Sequence, residues 1–252
     1  MLLLIDIGNT STAIGFCDNS NIKTILKLKT IKDGRGIEEC SYILDGFILR
    51  HKIKKPEGAI ICSVVPQATT AFKNAVKRNF GVEPVMVSSE IKTGLKFMIR
   101  STEGLGADRI ADAVAARRLY KGPLLVIDFG TATTFSYISS KGQFRGGAIM
   151  PGIRLSADTL ADRTAKLPRV DLKKPVRALG KDTAENILSG IIFGHAGAVE
   201  KIISEIKRET SRDLKVIVTG GYADLVAPFI KMDHMDPLLT LEGLRFIYEL
   251  NA

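Results

Sequence analysis

The sequence predicts an α/β protein made of two similar halves, and three observations carry that expectation. Apolar runs of strand length alternate with stretches whose apolar residues recur at helical spacing. A segment at the start recurs near the middle of the chain. Each copy passes from a buried strand, through an Asp and a Gly, into a second strand. An internal repeat outweighs local propensity as evidence, because it fixes the architecture of the whole chain.

The two copies are Leu2-Leu3-Leu4-Ile5-Asp6-Ile7-Gly8-Asn9-Thr10-Ser11-Thr12 and Leu124-Leu125-Val126-Ile127-Asp128-Phe129-Gly130-Thr131-Ala132-Thr133-Thr134, matched without a gap. In each, apolar residues form a strand, an Asp stands at its end, a Gly permits a tight turn, and small hydroxyl or amide residues follow. The segments continue as Ala13-Ile14-Gly15-Phe16 and Phe135-Ser136-Tyr137-Ile138, so a strand follows the turn. In a P-loop or a dinucleotide fingerprint a helix follows the glycines, and both are thereby excluded.

Later in each half another strand ends in a small-residue turn: Ala59-Ile60-Ile61-Cys62-Ser63-Val64-Val65-Pro66, and Val216-Ile217-Val218-Thr219-Gly220-Gly221. Helical patterns follow both, through Phe72, Val76 and Phe80, and through Leu225, Val226 and Phe229. Two more helices are expected, over 106–120 through Ala107, Ile110 and Val114, and over 183–207 through Ile187, Ile191, Ile202 and Ile206. Thr183 and Glu185 suggest a capped start for the second. The economical architecture is two domains, 1–117 and 118–252, with a cleft between them.

Composition narrows the class of function. With 252 residues and 45% hydrophobic content the chain can bury a real core. Charged residues are spread along it with no long run of one sign, which argues against a disordered tail or a basic arm. The net charge of +9 favours anionic partners. Aromatics are only 6% and do not interleave with basic stretches, so the charge reads as a solvated surface and no nucleic-acid partner is expected.

Cys17, Cys40 and Cys62 are odd in number, too widely spaced for a zinc pair and set among apolar residues, as reduced core thiols of a cytoplasmic protein would be. The apolar start meets Asp6 after a short run and lacks a basic leader, so it reads as a first strand rather than a signal peptide or membrane span. His51, His195 and His234 are isolated, without metal-binding spacing, and read as ordinary surface or core histidines.

The paired turns suit phosphate chemistry. A polyphosphate needs backbone N–H donors, hydroxyls and a hydrated metal ion held by a nearby carboxylate. Asp6 with Gly8, Asn9 and Thr10 can supply these, and Asp128 with Gly130 and Thr131 can grip the terminal phosphate from the other side. A single Asp at a strand end is often just a turn cap; two in matched register point to function. Transfer to a hydroxyl also needs a proton acceptor. The candidate is Asp108, in Gly104-Leu105-Gly106-Ala107-Asp108-Arg109, where Arg109 offers a planar fork for a carboxylate. An Asp-Arg pair at a helix start is equally a structural cap, and local sequence leaves both readings open. Duplicated domains with paired phosphate loops predict an actin-like/sugar-kinase (ribonuclease H-like) fold with a central ATP cleft.

Five segments together carry a more specific resemblance: Asp6-Ile7-Gly8-Asn9-Thr10, Gly106-Ala107-Asp108-Arg109, Asp128-Phe129-Gly130-Thr131-Ala132, Gly146-Gly147-Ala148-Ile149-Met150-Pro151-Gly152, and Gly180-Lys181-Asp182-Thr183-Ala184-Glu185-Asn186-Ile187-Leu188-Ser189-Gly190. Over nearly its full length the chain resembles the type III pantothenate kinases, which phosphorylate pantothenate in the first step of coenzyme A synthesis. The resemblance implies that Asp6, Ile7, Gly8, Asn9, Thr10, Ser11, Thr12, Ala13 and Thr131 contact ATP. It implies that Asp108 is the base and that Gly106, Ala107, Asp108 and Arg109 line the acceptor site. Asp6 would hold magnesium, through water, and Asp128 a monovalent cation, potassium or ammonium. The family's homodimers would bring Thr183 to the acceptor of the partner subunit, placing the dimer interface on the C-terminal half. One departure stands out: where the family carries a Tyr followed by Asn-Pro, this chain reads Ile99-Arg100-Ser101-Thr102.

Two other classes stay open on sequence. One is a regulatory or DNA-associated protein descended from such a kinase, against which the retention of Asp6, Asp108 and Asp128 argues. The other is an ATPase or phosphatase with water as the acceptor, against which the shaped 106–109 loop argues, and a kinase with a different acceptor stays open beside it. Gly220-Gly221 after Thr219 either lets a backbone approach adenosine or merely makes a turn.

Overall fold

Strand β1 (Leu2–Ile7) forms from the first apolar run and pairs antiparallel with β2 (Ser11–Asp18), which pairs in turn with β3 (Asn21–Lys29). The computed structural model of the chain describes residues 1–18, 21–30, 36–210 and 213–252. These fall into two compact units, Met1–Leu119 with Leu238–Ala252, and Tyr120–Pro237.

In the first unit α1 (Gly36–His51) leads to β4 (Gly58–Ser63), which lies parallel to β1 with Cys62 opposite Asp6. Helix α2 (Pro66–Phe80) begins on a proline that presets the helical φ and ends on Gly81, whose left-handed φ of 71° lets its N–H close on the Lys77 carbonyl. β5 (Val85–Met86) adds to β4 and completes the order β3-β2-β1-β4-β5. Leu3, Ile5 and Phe16 from the sheet pack with Leu44 and Phe47 of α1 and Phe72 and Val76 of α2 as one core. β6 (Lys96–Phe97) and α3 (Ala107–Leu119) follow.

The second unit repeats the plan. β7 (Leu124–Phe129), β8 (Ala132–Ile138) and β9 (Gln143–Pro151) form an antiparallel meander. After α4 (Ile153–Asp162) and α5 (Thr183–Glu209), β10 (Lys215–Thr219) returns parallel to β7. α6 (Ala223–Val226) precedes β11 (His234–Met235), which pairs parallel with β10. α5 is long and apolar enough to cross a membrane by length and composition alone. Here its Ile187, Leu188, Ile192, Ala196, Val199 and Ile203 are instead buried in the protein core.

Four details differ from the sequence expectation. The repeat is not gapless: Ile7 pairs with Thr12, whereas Phe129 pairs with Thr133, so the second turn is one residue shorter. From Ser11 and Ala132 onward the burial patterns then run in step, with Thr12 and Thr133 both fully buried. The helix expected through Phe229 stops at Val226 and continues as a 3₁₀ turn over Ala227–Phe229, because Pro228 cannot extend an α-helix. The N-cap of α5 is Asp182 rather than Thr183; its carboxylate accepts the Glu185 N–H at 2.8 Å. Finally, α7 (Leu239–Asn251) belongs to the first unit, so the division is not a simple cut of the chain between 117 and 118. Gly243 explains how it fits there: a methyl group at this position would lie 2.5 Å from the Ala111 carbonyl carbon, so α7 packs directly on the backbone of α3.

Candidate active site

Asp6 and Asp128 occupy matching places near the C-terminal ends of the parallel pairs β1/β4 and β7/β10. In open α/β sheets this is the end at which ligands bind. In the first unit the turn after Asp6 closes with the Gly8 N–H donating to the Ser11 carbonyl at 3.0 Å. Thr30, just past β3, fastens it: its hydroxyl donates to the Gly8 carbonyl at 2.6 Å and meets the Thr12 hydroxyl at 3.1 Å, while its N–H donates to the Thr10 carbonyl. Asn9, Thr10 and Ser11 are left exposed at the tip. Ile7 and Thr12 turn their side chains into the core, so a contribution of theirs to a ligand comes from backbone.

In the second unit the Gly130 N–H donates to the Ala132 carbonyl at 3.1 Å, and Thr131 is exposed at the tip. Gly152, just past β9, donates its N–H to the Thr131 carbonyl at 3.2 Å, and a methyl group on it would come within 2.6 Å of the Gly130 carbonyl oxygen. Gly220 adopts a positive φ of 100° beside Asp128, where a methyl group would overlap the carboxylate and lie 2.5 Å from the Phe129 nitrogen. The ambiguous Gly220-Gly221 pair therefore has a definite local role: Gly220 leaves room for Asp128. Thr133 bonds His195 Nε2 at 2.9 Å, and burial lowers the basicity of that imidazole. His195 is thus a core histidine, as its isolation in sequence suggests.

Asp108 stands in the first turn of α3, where the helix dipole favours a carboxylate. Its Oδ1 accepts the Arg109 N–H at 2.7 Å. A methyl group at Gly106 would overlap that carboxylate, so the glycine makes space for it. Burial is the chief influence on Asp108 and raises its carboxyl above the ordinary 3.8, against the opposing pull of Arg109. Arg109 is lowered by its own burial while Asp108 and Asp112 work the other way. Burial, then the carboxylates of Asp6, Asp108 and Asp112, push the fully buried Cys62 thiol well above the usual range. Carboxylates of β1 and α3 therefore both act on Cys62, near the end of β4.

Thr183 is exposed at the start of α5. Ile99 is half-buried, and in the following residues Ser101 accepts the Glu103 N–H at 3.0 Å. Among the described residues no group of three or more His, Cys, Asp or Glu could hold a metal ion. Sequence reading missed Thr30, which no periodicity marks, and Asp112, which looks like one polar residue in an Ala-rich helix.

Comparison with known proteins agrees with the motifs. A sequence model of the type III pantothenate kinases matches residues 2–205. The type III pantothenate kinase of Agathobacter rectalis is 41% identical, with 98% of this chain and 96% of that protein covered. That of Moorella thermoacetica is 39% identical, with both chains covered completely. Among solved structures, a ROK family glucokinase from Streptomyces griseus superposes with a TM-score of 0.58 at 14% identity, covering 96% of this chain and 97% of its own. A protein of Campylobacter jejuni described as a Baf family transcriptional activator reaches 0.62 at 22% identity, covering 99% and 98%. Both show the fold alone, the duplicated sugar-kinase architecture. With the family match running from β1 into α5 and the identity to relatives sustained over the whole chain, this protein belongs to the type III pantothenate kinase family.

Proposed function

We propose that this chain transfers the terminal phosphoryl group of ATP to the primary hydroxyl of pantothenate, giving 4'-phosphopantothenate, with Asp108 as the base. The observation that carries the chemistry is the half-buried Asp108 at the start of α3, with its carboxyl raised by burial and Gly106 leaving it room. The raised carboxyl suits a group that must accept a proton in the transition state. As the pantothenate oxygen attacks the γ-phosphorus, Asp108 takes the hydroxyl proton; the bond from that phosphorus to the β,γ-bridging oxygen breaks, and ADP departs with the electron pair.

Positioning and charge neutralisation supply most of the acceleration in phosphoryl transfer. The exposed tips Asn9–Ser11 and Thr131 offer N–H and hydroxyl donors to the phosphates, and the planar fork of Arg109 receives the acceptor's carboxylate. Asp6 would hold magnesium, and Asp128 would hold potassium or ammonium. The donor set fits: magnesium keeps most of its waters and rides on substrate phosphates, so one carboxylate suffices where no multi-ligand cluster exists among the described residues. When bound, these cations neutralise the charge that develops on the phosphates. The protein works as a homodimer in which Thr183 at the exposed start of α5 reaches the partner's acceptor site. Nothing in this scheme uses nucleic acid or a membrane.

The test is ADP release by purified protein with ATP, magnesium and potassium, with and without pantothenate. Release that depends on pantothenate is the expected result; release indifferent to pantothenate would mean that water or another acceptor takes the phosphoryl group.

A further inference from the structure

Among the described residues, the chemistry above leaves one buried carboxylate unused. Asp112 is 2% exposed, on the same helix as Asp108 and Arg109. A carboxylate is rarely buried so completely without opposing charge or donors. Its helical spacing of four from Asp108 and three from Arg109 puts all three on one face. The Arg109 guanidinium accordingly feels the charge of Asp112 as well as that of Asp108.

A second helix holds Asp112. The Thr240 hydroxyl of α7 donates to Asp112 Oδ1 at 2.7 Å. One turn further on, Gly243 brings α7 against the backbone of Ala111, the residue before Asp112. The same face of α7 therefore both sets the helix spacing and grips the carboxylate.

We infer that Asp112, held by Thr240, is a positioning residue that fixes the Arg109 guanidinium for capture of the acceptor's carboxylate. This rests on the assignment of Arg109 as the carboxylate-binding group. A fork that would otherwise sample several rotamers is held in one, so binding loses less entropy.

The experiment compares KM and kcat for pantothenate and for its alcohol analogue, in which hydroxymethyl replaces the carboxylate. Asp112→Asn keeps an acceptor for Thr240 and removes the charge. It should raise KM for pantothenate by about tenfold, the scale of one charged hydrogen bond, and leave kcat, KM for ATP and KM for the alcohol nearly unchanged. Thr240→Val should act in the same direction by about threefold, and Thr240→Ser should restore wild-type values. Arg109→Gln is the control. If it shows no loss selective for the carboxylate, the Arg109 assignment fails. If it does while Asp112→Asn, measured as folded protein, leaves pantothenate KM unchanged, the inference alone is overturned and Asp112 merely ties two helices together. Should Asp112→Asn fail to fold, the Thr240 pair decides: a carboxylate-selective loss rescued by Ser supports the inference, and an unchanged KM overturns it.

Discussion

The turn after β1 and the turn after β7 begin from the same strand, the same Asp and the same Gly, yet they are fastened by different means. Four residues separate Ile7 from its partner Thr12, and Thr30 holds them with two hydroxyl bonds and an N–H bond. Three separate Phe129 from Thr133, and that turn is wedged between two glycines, Gly152 behind Thr131 and Gly220 against Asp128. Duplication has preserved the strand and the carboxylate but not the way they are secured. A turn secured by side-chain hydrogen bonds weakens by degrees when a donor is lost, whereas a turn fitted against bare backbone has no space to give.

That difference sets an order of effects. Gly220→Ala combines a positive φ with overlap of Asp128 and the Phe129 backbone, and should cost roughly 3 kcal/mol or more in urea unfolding. Thr30→Val removes the donor to Gly8 and should cost about 1–3 kcal/mol, with Thr30→Ser recovering most of it. A larger loss for Thr30→Val than for Gly220→Ala would break the comparison. The cysteines sharpen it further, since Cys17, Cys40 and Cys62 all lie buried in the first unit. Burial pushes Cys40 up to about 12 and Cys62 well above its usual range, so native protein should resist thiol reagents, and labelling in denaturant should follow that unit alone. Labelling without denaturant would contradict the burial.

The repeat, the Asp-Gly turns and the Asp108 loop were legible because each has a local signature: a strand-length apolar run, a glycine, a helix start. The missing residue in the second turn was not. Thr133 and Thr134 are both threonine, so sequence offers two registers, and only burial of Thr133 against His195 chooses between them. Thr30 and Asp112 escaped notice for a related reason: their partners Gly8 and Thr240 lie far along the chain, and no periodicity links such pairs. The helix α7 was not picked out in the sequence, and its place in the first unit depends on a long-range fit, that of Gly243 against the backbone of Ala111.

The smallest effect concerns pH. The proposed base, Asp108, can take a proton only when ionised, and its carboxyl is raised by burial, so the acid limb of kcat/KM should fall above the range of an ordinary aspartate. Because the folded protein holds this carboxyl raised, the stability it contributes below the unfolded value is lost as pH rises through the folded one. At neutral pH, Asp108→Asn should therefore be no less stable than the wild type, and a clear fall in its thermal midpoint would contradict the raised carboxyl.

The most direct measurement follows the γ-phosphate label of ATP into 4'-phosphopantothenate with wild-type protein and with Asp108→Asn, alongside ATP affinity for both. The account predicts label in the wild-type product and a loss of about 10²–10⁴ in the variant, with ATP binding retained. Near-normal transfer by Asp108→Asn, or no label in pantothenate with the wild type, would contradict it.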